Sequence, residues 1–139
     1  MDARKVTDEL SVAPQISIAD VAAAKAAGFR SIICNRPDGE AADQPEFKAI
    51  ETAAKAAGIA IRYQPVRMVS EVDAKAFAAA FRELPKPVLA YCRSGTRCIT
   101  LWTISEAANR PIVDLVTRAK AAGYDMSAIA AQAASKVHG

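Results

Sequence analysis

Histidine is almost missing from this sequence. Of 139 residues the only one is His138, next to last in the chain, where ordering is weakest. That leaves too little imidazole for a Ser-His-Asp triad, a Cys-His dyad or a multi-histidine metal site. Cysteine is scarce as well. The three present cannot close a disulfide framework, and an odd count suits a reducing compartment. No stretch approaches the ~18 consecutive apolar residues of a membrane span, and residues 1–15 contain no signal-peptide core. Lys and Arg outnumber Asp and Glu by only 18 to 15 and are scattered, so the footprint of a nucleic-acid binder is lacking. These absences point to a soluble, cytoplasmic protein with no membrane or nucleic-acid partner, no metal and no cofactor. Any chemistry must run on cysteine, carboxylates, arginine and the backbone.

Alanine, in contrast, is abundant, at 32 of 139 residues within a 52% apolar composition. It favours helices but buries little area per residue, so the larger apolar side chains must carry the core. The length suits one domain over 1–139. Ala-Lys-Ala-Ala-Gly occurs at 24–28, 54–58 and 119–123, at unequal spacings of 30 and 65 residues. Each copy reads as a last helical turn closed by a left-handed Gly rather than as a structural repeat. Apolar runs at 29–34 and 59–63 follow the first two copies.

Helix starts are also legible. Ser17-x-x-Asp20 and Ser70-x-x-Asp73 form capping boxes, and Asp43-x-x-Glu46 is a variant with Pro45 in the first turn. Helices are expected at 17–27, 44–57 and 71–83, then from Thr96 to Ala108, from Pro111 to Ala122, and after a capping Asp125. Strands are expected at 30–34, 59–65 and 87–91. The run Val88-Leu89-Ala90 lacks polar alternation, as in a central strand covered on both faces. The alternation gives an α/β fold of three layers, a mainly parallel central sheet of four to five strands with helices on both faces. Ligands bind such sheets at the carboxyl ends of the strands.

Two loops fall there: 34–40, reading Cys-Asn-Arg-Pro-Asp-Gly-Glu, and 92–97, reading Cys-Arg-Ser-Gly-Thr-Arg. The second has the makings of an anion cradle. Gly95 lets the backbone turn N–H groups inward, and the following helix adds positive partial charge. Arg97 offers a planar fork of donors, while Ser94 and Thr96 offer hydroxyls. Cys92 at the floor of this cradle is expected to ionise at low pH, since helix N-termini and cations bring thiols from ~8.5 into the ~3.5–7.5 range. An activated nucleophile without histidine results. The bland alternative is a small buried Cys in an ordinary strand–helix turn.

These blocks, together with the weaker Leu10-Ser11-Val12 and Gln15-Ile16-Ser17, resemble the phosphatase-like domain family of beta-lactamase-hydrolase-like proteins, which are often described as sulfur transferases. The resemblance covers most of the chain. It implies a fold like that of the dual-specificity cysteine phosphatases, with the cysteine loop as active site. Tyr91 stands where such loops commonly have His, and Cys98 where Ser is usual.

Tyrosine-type phosphatases place five residues between nucleophile and arginine. Here there are four, Arg93 to Thr96, which resembles the rhodanese-type loop and suits the outer sulfur of a persulfide. Phosphate-ester cleavage also needs a general acid, and the loop 65–70 has no carboxylate. The sequence therefore favours a sulfurtransferase: Cys92 takes sulfur from a small anionic donor such as thiosulfate or a low-molecular-weight persulfide and passes it to a thiol or cyanide. Cys92 and Arg97 are the catalytic pair, and Arg93, Ser94, Gly95 and Thr96, with Arg36 and Arg67 as secondary cations, draw in the anion. The alternatives are a cysteine-dependent phosphatase for small or aryl phosphates, and a non-catalytic module that binds anions or carries sulfur for a persulfide-oxidising partner enzyme.

Asp38 is the candidate orienting group for Arg97 or proton donor, against the reading of a Pro-Asp-Gly turn. Cys34 is the candidate redox partner of Cys92 if their strands are neighbours, against the reading of a buried strand-end thiol. Cys98, Trp102, Phe77 and Phe81 read as packing, and Tyr63 and Tyr91 as strand packing, against a place lining the mouth of the site. The helices over 112–136 read as sheet cover or an oligomer surface, and the oligomeric state stays open.

Overall fold

The computed structural model describes Met1 to His138, and the side chain of His138 lies outside the described residues. Five strands form one sheet: β1 (Arg4–Thr7), β2 (Leu10–Ala13), β3 (Ser31–Cys34), β4 (Ala60–Tyr63) and β5 (Val88–Tyr91). Their order is β1-β2-β5-β3-β4. All neighbouring pairs are parallel except β1 with β2, which is antiparallel. Strands β2, β3 and β5 are buried at every position, as two-sided helical cover demands.

Side chains of successive strand residues go to opposite faces, and the core divides accordingly. One face packs Ile32, Cys34, Leu89 and Tyr91 against helices α1 (Ile18–Ala26) and α2 (Phe47–Ala56). The other packs Val12, Ile33, Ala90 and Cys92 against α3 (Glu71–Glu83), α4 (Thr96–Glu106), α5 (Ile112–Ala121) and α6 (Ser127–His138). Phe77, Ile99, Leu101 and Trp102 supply much of that second core. Burying each such side chain is worth about 1.5–3 kcal/mol, which offsets the small return from alanine. No helix among the described residues is long and apolar enough to cross a membrane.

The local signals act where they stand. Ser17 and Ser70 each accept from the N–H three residues on, and Asp20 and Asp73 return the bond. Gly28, Gly58 and Gly123 follow α1, α2 and α5 with φ of 96°, 74° and 99°. The residue after each donates back to a carbonyl five positions earlier, at 2.9–3.1 Å, which closes the helix end.

Two expectations need correction. The hairpin β1–β2 was not foreseen as strands: each has four residues, and β2 is buried throughout and so shows no alternation. Helix α2 starts at Phe47, not at 44, and no side chain of its N-cap Glu46 closes a capping box. Instead Asp38, nine residues upstream, accepts from the Phe47 N–H at 2.8 Å. Gln44 is drawn out of the helix to accept from the Glu40 N–H and donate to Pro37 O.

Candidate active site

Strand β5 lies between β2 and β3, so three parallel strand ends open along one edge of the sheet. Cys92 leaves β5 and turns at once into α4, whose N-cap is Gly95 at φ 89° and ψ −13°. Only a residue without Cβ takes that conformation at little cost. A Cβ built on Gly95 would also lie 2.1 Å from the Tyr124 hydroxyl. The Gly95 N–H points inward and meets the Cys92 sulfur at 3.1 Å.

Cys92 is fully buried, and burial alone would raise its pKa. The thiol is nevertheless held down, at about 5. The largest cause is the Cys98 thiol beside it, followed by the N–H groups of Cys98, Arg97 and Gly95. Cys98 has one proton to give and lies between Asn35 Oδ1, at 3.3 Å, and the Cys92 sulfur. The ionised sulfur is the stronger acceptor of the two.

Arg97 comes from the first turn of α4, but a different loop aims it. Its two terminal nitrogens donate to both Glu40 oxygens, at 2.9 and 2.7 Å, and one also reaches Val66 O at 2.8 Å. Glu40 is shared with Arg36 Nε at 3.1 Å. Facing two guanidiniums, Arg97 the stronger influence, its carboxyl is held at about 2. Arg36 is buried and donates its remaining bond to Gln15 Oε1 at 3.1 Å. The Gln15 N–H in turn donates to Arg93 O at 3.2 Å. The ends of β2, β3 and β5 are thereby tied into one polar network around the cysteine.

The expected residues sort unevenly. Cys92, Ser94, Gly95, Thr96 and Arg97 form one loop, with the Ser94 hydroxyl donating to Thr96 Oγ1 at 2.9 Å. Arg93 and Arg67 are exposed and have no carboxylate partner among the described residues. Arg36 enters through Glu40 and Gln15 rather than as a free anion ligand. Asp38 does not hold Arg97: its carboxylate caps α2, its N–H donates to the Tyr63 hydroxyl at 3.0 Å, and that ring stacks on Phe47 at 4.5 Å. Glu40, two residues on, holds Arg97 instead. Either acidic residue is close enough in sequence; the turn at Gly39 decides which one faces inward.

Cys34 pairs in register with Tyr91 and packs with it on the α1–α2 face, whereas Cys92 and Cys98 share the opposite face. Cys34 lies against Arg36 O at 3.3 Å, and burial pushes its thiol up to about 11. The thiol that faces Cys92 is Cys98, which the sequence reading assigned to packing. Its replacement of a hydroxyl residue was the available signal. Tyr124 also escaped notice. It follows the third Ala-Lys-Ala-Ala-Gly, and its hydroxyl donates to Ser94 O at 2.8 Å.

Known proteins are similar to this chain in sequence and in fold. Residues 2–109 match the family described as "Beta-lactamase hydrolase-like protein, phosphatase-like domain". A beta-lactamase hydrolase-like protein of Agrobacterium fabrum is 38% identical over 132 residues, which is 92% of this chain and 31% of that protein. The chain thus spans about a third of the length of that curated relative. A crystal structure of a candidate phosphatase from Neisseria meningitidis superposes with a TM-score of 0.86 at 35% identity, covering 96% of each chain. One from Shewanella putrefaciens superposes at 0.72 with 21% identity over 98% of this chain and 93% of that one, a likeness of fold. On sequence and on structure alike, this chain belongs to the phosphatase-like domain family of the beta-lactamase hydrolase-like proteins.

Proposed function

We propose that the protein is a cysteine-dependent phosphohydrolase acting on phosphates with good leaving groups. The observation that carries this is the Cys92 thiol, held at about 5 in a loop of inward N–H groups at the start of α4 with Arg97 beside it. The designation of the Neisseria relative as a candidate phosphatase supports the same class. The thiolate attacks phosphorus, a sulfur–phosphorus bond forms, and the bond to the leaving oxygen breaks. Water then attacks the phosphocysteine, releasing inorganic phosphate and restoring the thiolate. Loop N–H groups and Arg97 stabilise the added charge in both steps.

The carboxylates nearby limit the substrate. Glu40 is committed to Arg97 and Arg36, Asp38 caps α2, and Asp73 completes the α3 capping box. With no carboxylic acid poised to protonate a leaving alkoxide, aryl phosphates and phosphoanhydrides are favoured over alkyl esters. Cys92 carries no exposed surface, so the rim residues Arg93, Ser94 and Thr96 must shift to admit the substrate.

A second reading rests on one feature, the four residues between Cys92 and Arg97. In it the thiolate attacks the outer sulfur of thiosulfate, sulfite leaves, and Cys92 persulfide passes that sulfur to cyanide as thiocyanate. This is the transfer reaction favoured by the sequence, and it too needs no acid. A series of aryl phosphates of graded leaving-group acidity, with thiosulfate in parallel, separates the two. The phosphatase reading expects turnover that falls steeply as the leaving group becomes more basic and that vanishes in Cys92→Ser. Absence of aryl-phosphate turnover, together with a gain of one sulfur on Cys92 that cyanide removes, would overturn it in favour of sulfur transfer.

A further inference from the structure

We infer that Tyr124 is a positioning residue for Cys92: by fixing the Ser94–Gly95 peptide from outside the loop, it aims the Gly95 N–H at the nucleophilic sulfur. The two hydrogen bonds concerned belong to a single peptide unit. On one side the Tyr124 hydroxyl donates to Ser94 O at 2.8 Å. On the other the Gly95 N–H donates to the Cys92 sulfur at 3.1 Å. A trans peptide is planar, with carbonyl and N–H pointing in opposite directions. Holding the oxygen outward therefore holds the hydrogen inward. A rotation that freed Ser94 O would swing the donor off the sulfur.

Glycine makes this control necessary. With φ at 89°, Gly95 has the widest conformational choice of any residue in the loop, and its peptide has no side chain to settle it. The tyrosine supplies what the glycine lacks. Its hydroxyl lies 2.1 Å from where a Gly95 Cβ would be, and its ring carbon 3.0 Å, so it fills the space over that residue. Burial raises the phenol's pKa, which keeps the proton available for donation across the neutral range.

Tyr124 is itself firmly placed. Its N–H donates to Ala119 O at 2.9 Å in the closing turn of α5, and the Arg4 guanidinium sits 5.1 Å above its ring. The residue lies beyond the 2–109 segment shared with the family. The C-terminal helices thus act on the site and do more than cover the sheet. The role holds for either electrophile considered above, since it concerns the thiolate alone.

The test is the pH dependence of Cys92 alkylation by iodoacetamide, followed residue by residue by mass spectrometry, with Cys34 as the internal reference. Tyr124→Phe keeps the ring and its packing and removes only the donor. The Cys92 thiol pKa is expected to rise by roughly half a unit to one unit, with the Cys34 profile unchanged and Gly95 amide exchange faster. Tyr124→Leu, which removes ring and hydroxyl together, is expected to raise it at least as far. An unshifted Cys92 profile in either folded variant overturns the inference. So does a rise at Cys92 accompanied by a fall of the Cys34 pKa towards the ordinary thiol value, which marks general loosening.

Discussion

Two neighbouring strands end in a cysteine environment, and the two ends could hardly differ more in chemistry. Cys34 closes β3 and Cys92 follows β5, both are buried, and they sit one residue apart in register. Yet one thiol is pushed to about 11 and the other held at about 5. Burial is common to both and so cannot set the difference. What differs is the direction of the backbone. After β3 Cys34 has only the Tyr91 hydroxyl and the Arg36 backbone to set against its burial. After β5 it reverses into a helix and offers Cys92 three N–H groups and a thiol. Two contacts do not offset burial at Cys34, whereas the converging N–H groups and the thiol at Cys92 replace the water that burial removed.

The sharpest way to break this comparison is to replace each cysteine in turn. Cys92→Ser is expected to abolish turnover by roughly a thousandfold or more, while Cys34→Ser leaves it near wild type; loss of activity in the second variant would give the wrong strand end the reaction. Next comes the arginine network. Arg97→Lys loses the fork that grips Glu40 and is expected to cost about a hundredfold in kcat, and Glu40→Gln somewhat less, since the guanidinium remains but is no longer aimed. Steady-state kinetics on a single aryl phosphate will rank them.

The pH profile sharpens the comparison further. Alkylation of Cys92 is expected to rise through pH 5 and level off near neutrality, with Cys34 inert until far higher. Both lowered groups also leave a mark on stability. Cys92 folds with its pKa below the ordinary 9.0, so its contribution grows as pH rises from about 5 to 9. Glu40 folds with its pKa at about 2 instead of 4.5, so its contribution is present above 4.5 and is lost as pH falls towards 2. Thermal midpoints of wild type and Glu40→Gln should converge at the acid end. After mild peroxide, peptide mapping is expected to find Cys92 linked to Cys98, its neighbour on the same face, and not to Cys34. The smallest effect belongs to Asp38→Ala, which uncaps α2 at a cost of about 1 kcal/mol and spares activity.

Much of this was legible in local spacing because local spacing encodes it. Ser17, Ser70 and the glycine after each Ala-Lys-Ala-Ala act within a turn of themselves, and the Cys92–Arg97 loop is contiguous. Contacts that cross the sheet were not legible. Nothing in the order of residues distinguishes Asp38 from Glu40 as the partner of Arg97, which is 57 positions beyond Glu40. Tyr124 reaches Ser94 across 30 residues. The face on which a strand-end thiol falls depends on register. That is why Cys98, counted as packing, stands beside Cys92, and Cys34, the expected partner, does not.

The placement of β5 at the middle of the sheet has a consequence for the life of the chain before it is folded. The groups that acidify Cys92 lie within its own loop, at residues 95, 97 and 98, whereas those that aim Arg97 come from residues 40 and 66, with residues 36 and 15 behind Glu40. Such distant segments meet late, because loop closure must come first. During synthesis and folding, then, the three thiols of the unfolded chain have equal and ordinary acidity. The guanidinium is aimed beside Cys92 only once those segments have met, so a partly folded copy lacks the assembled pair.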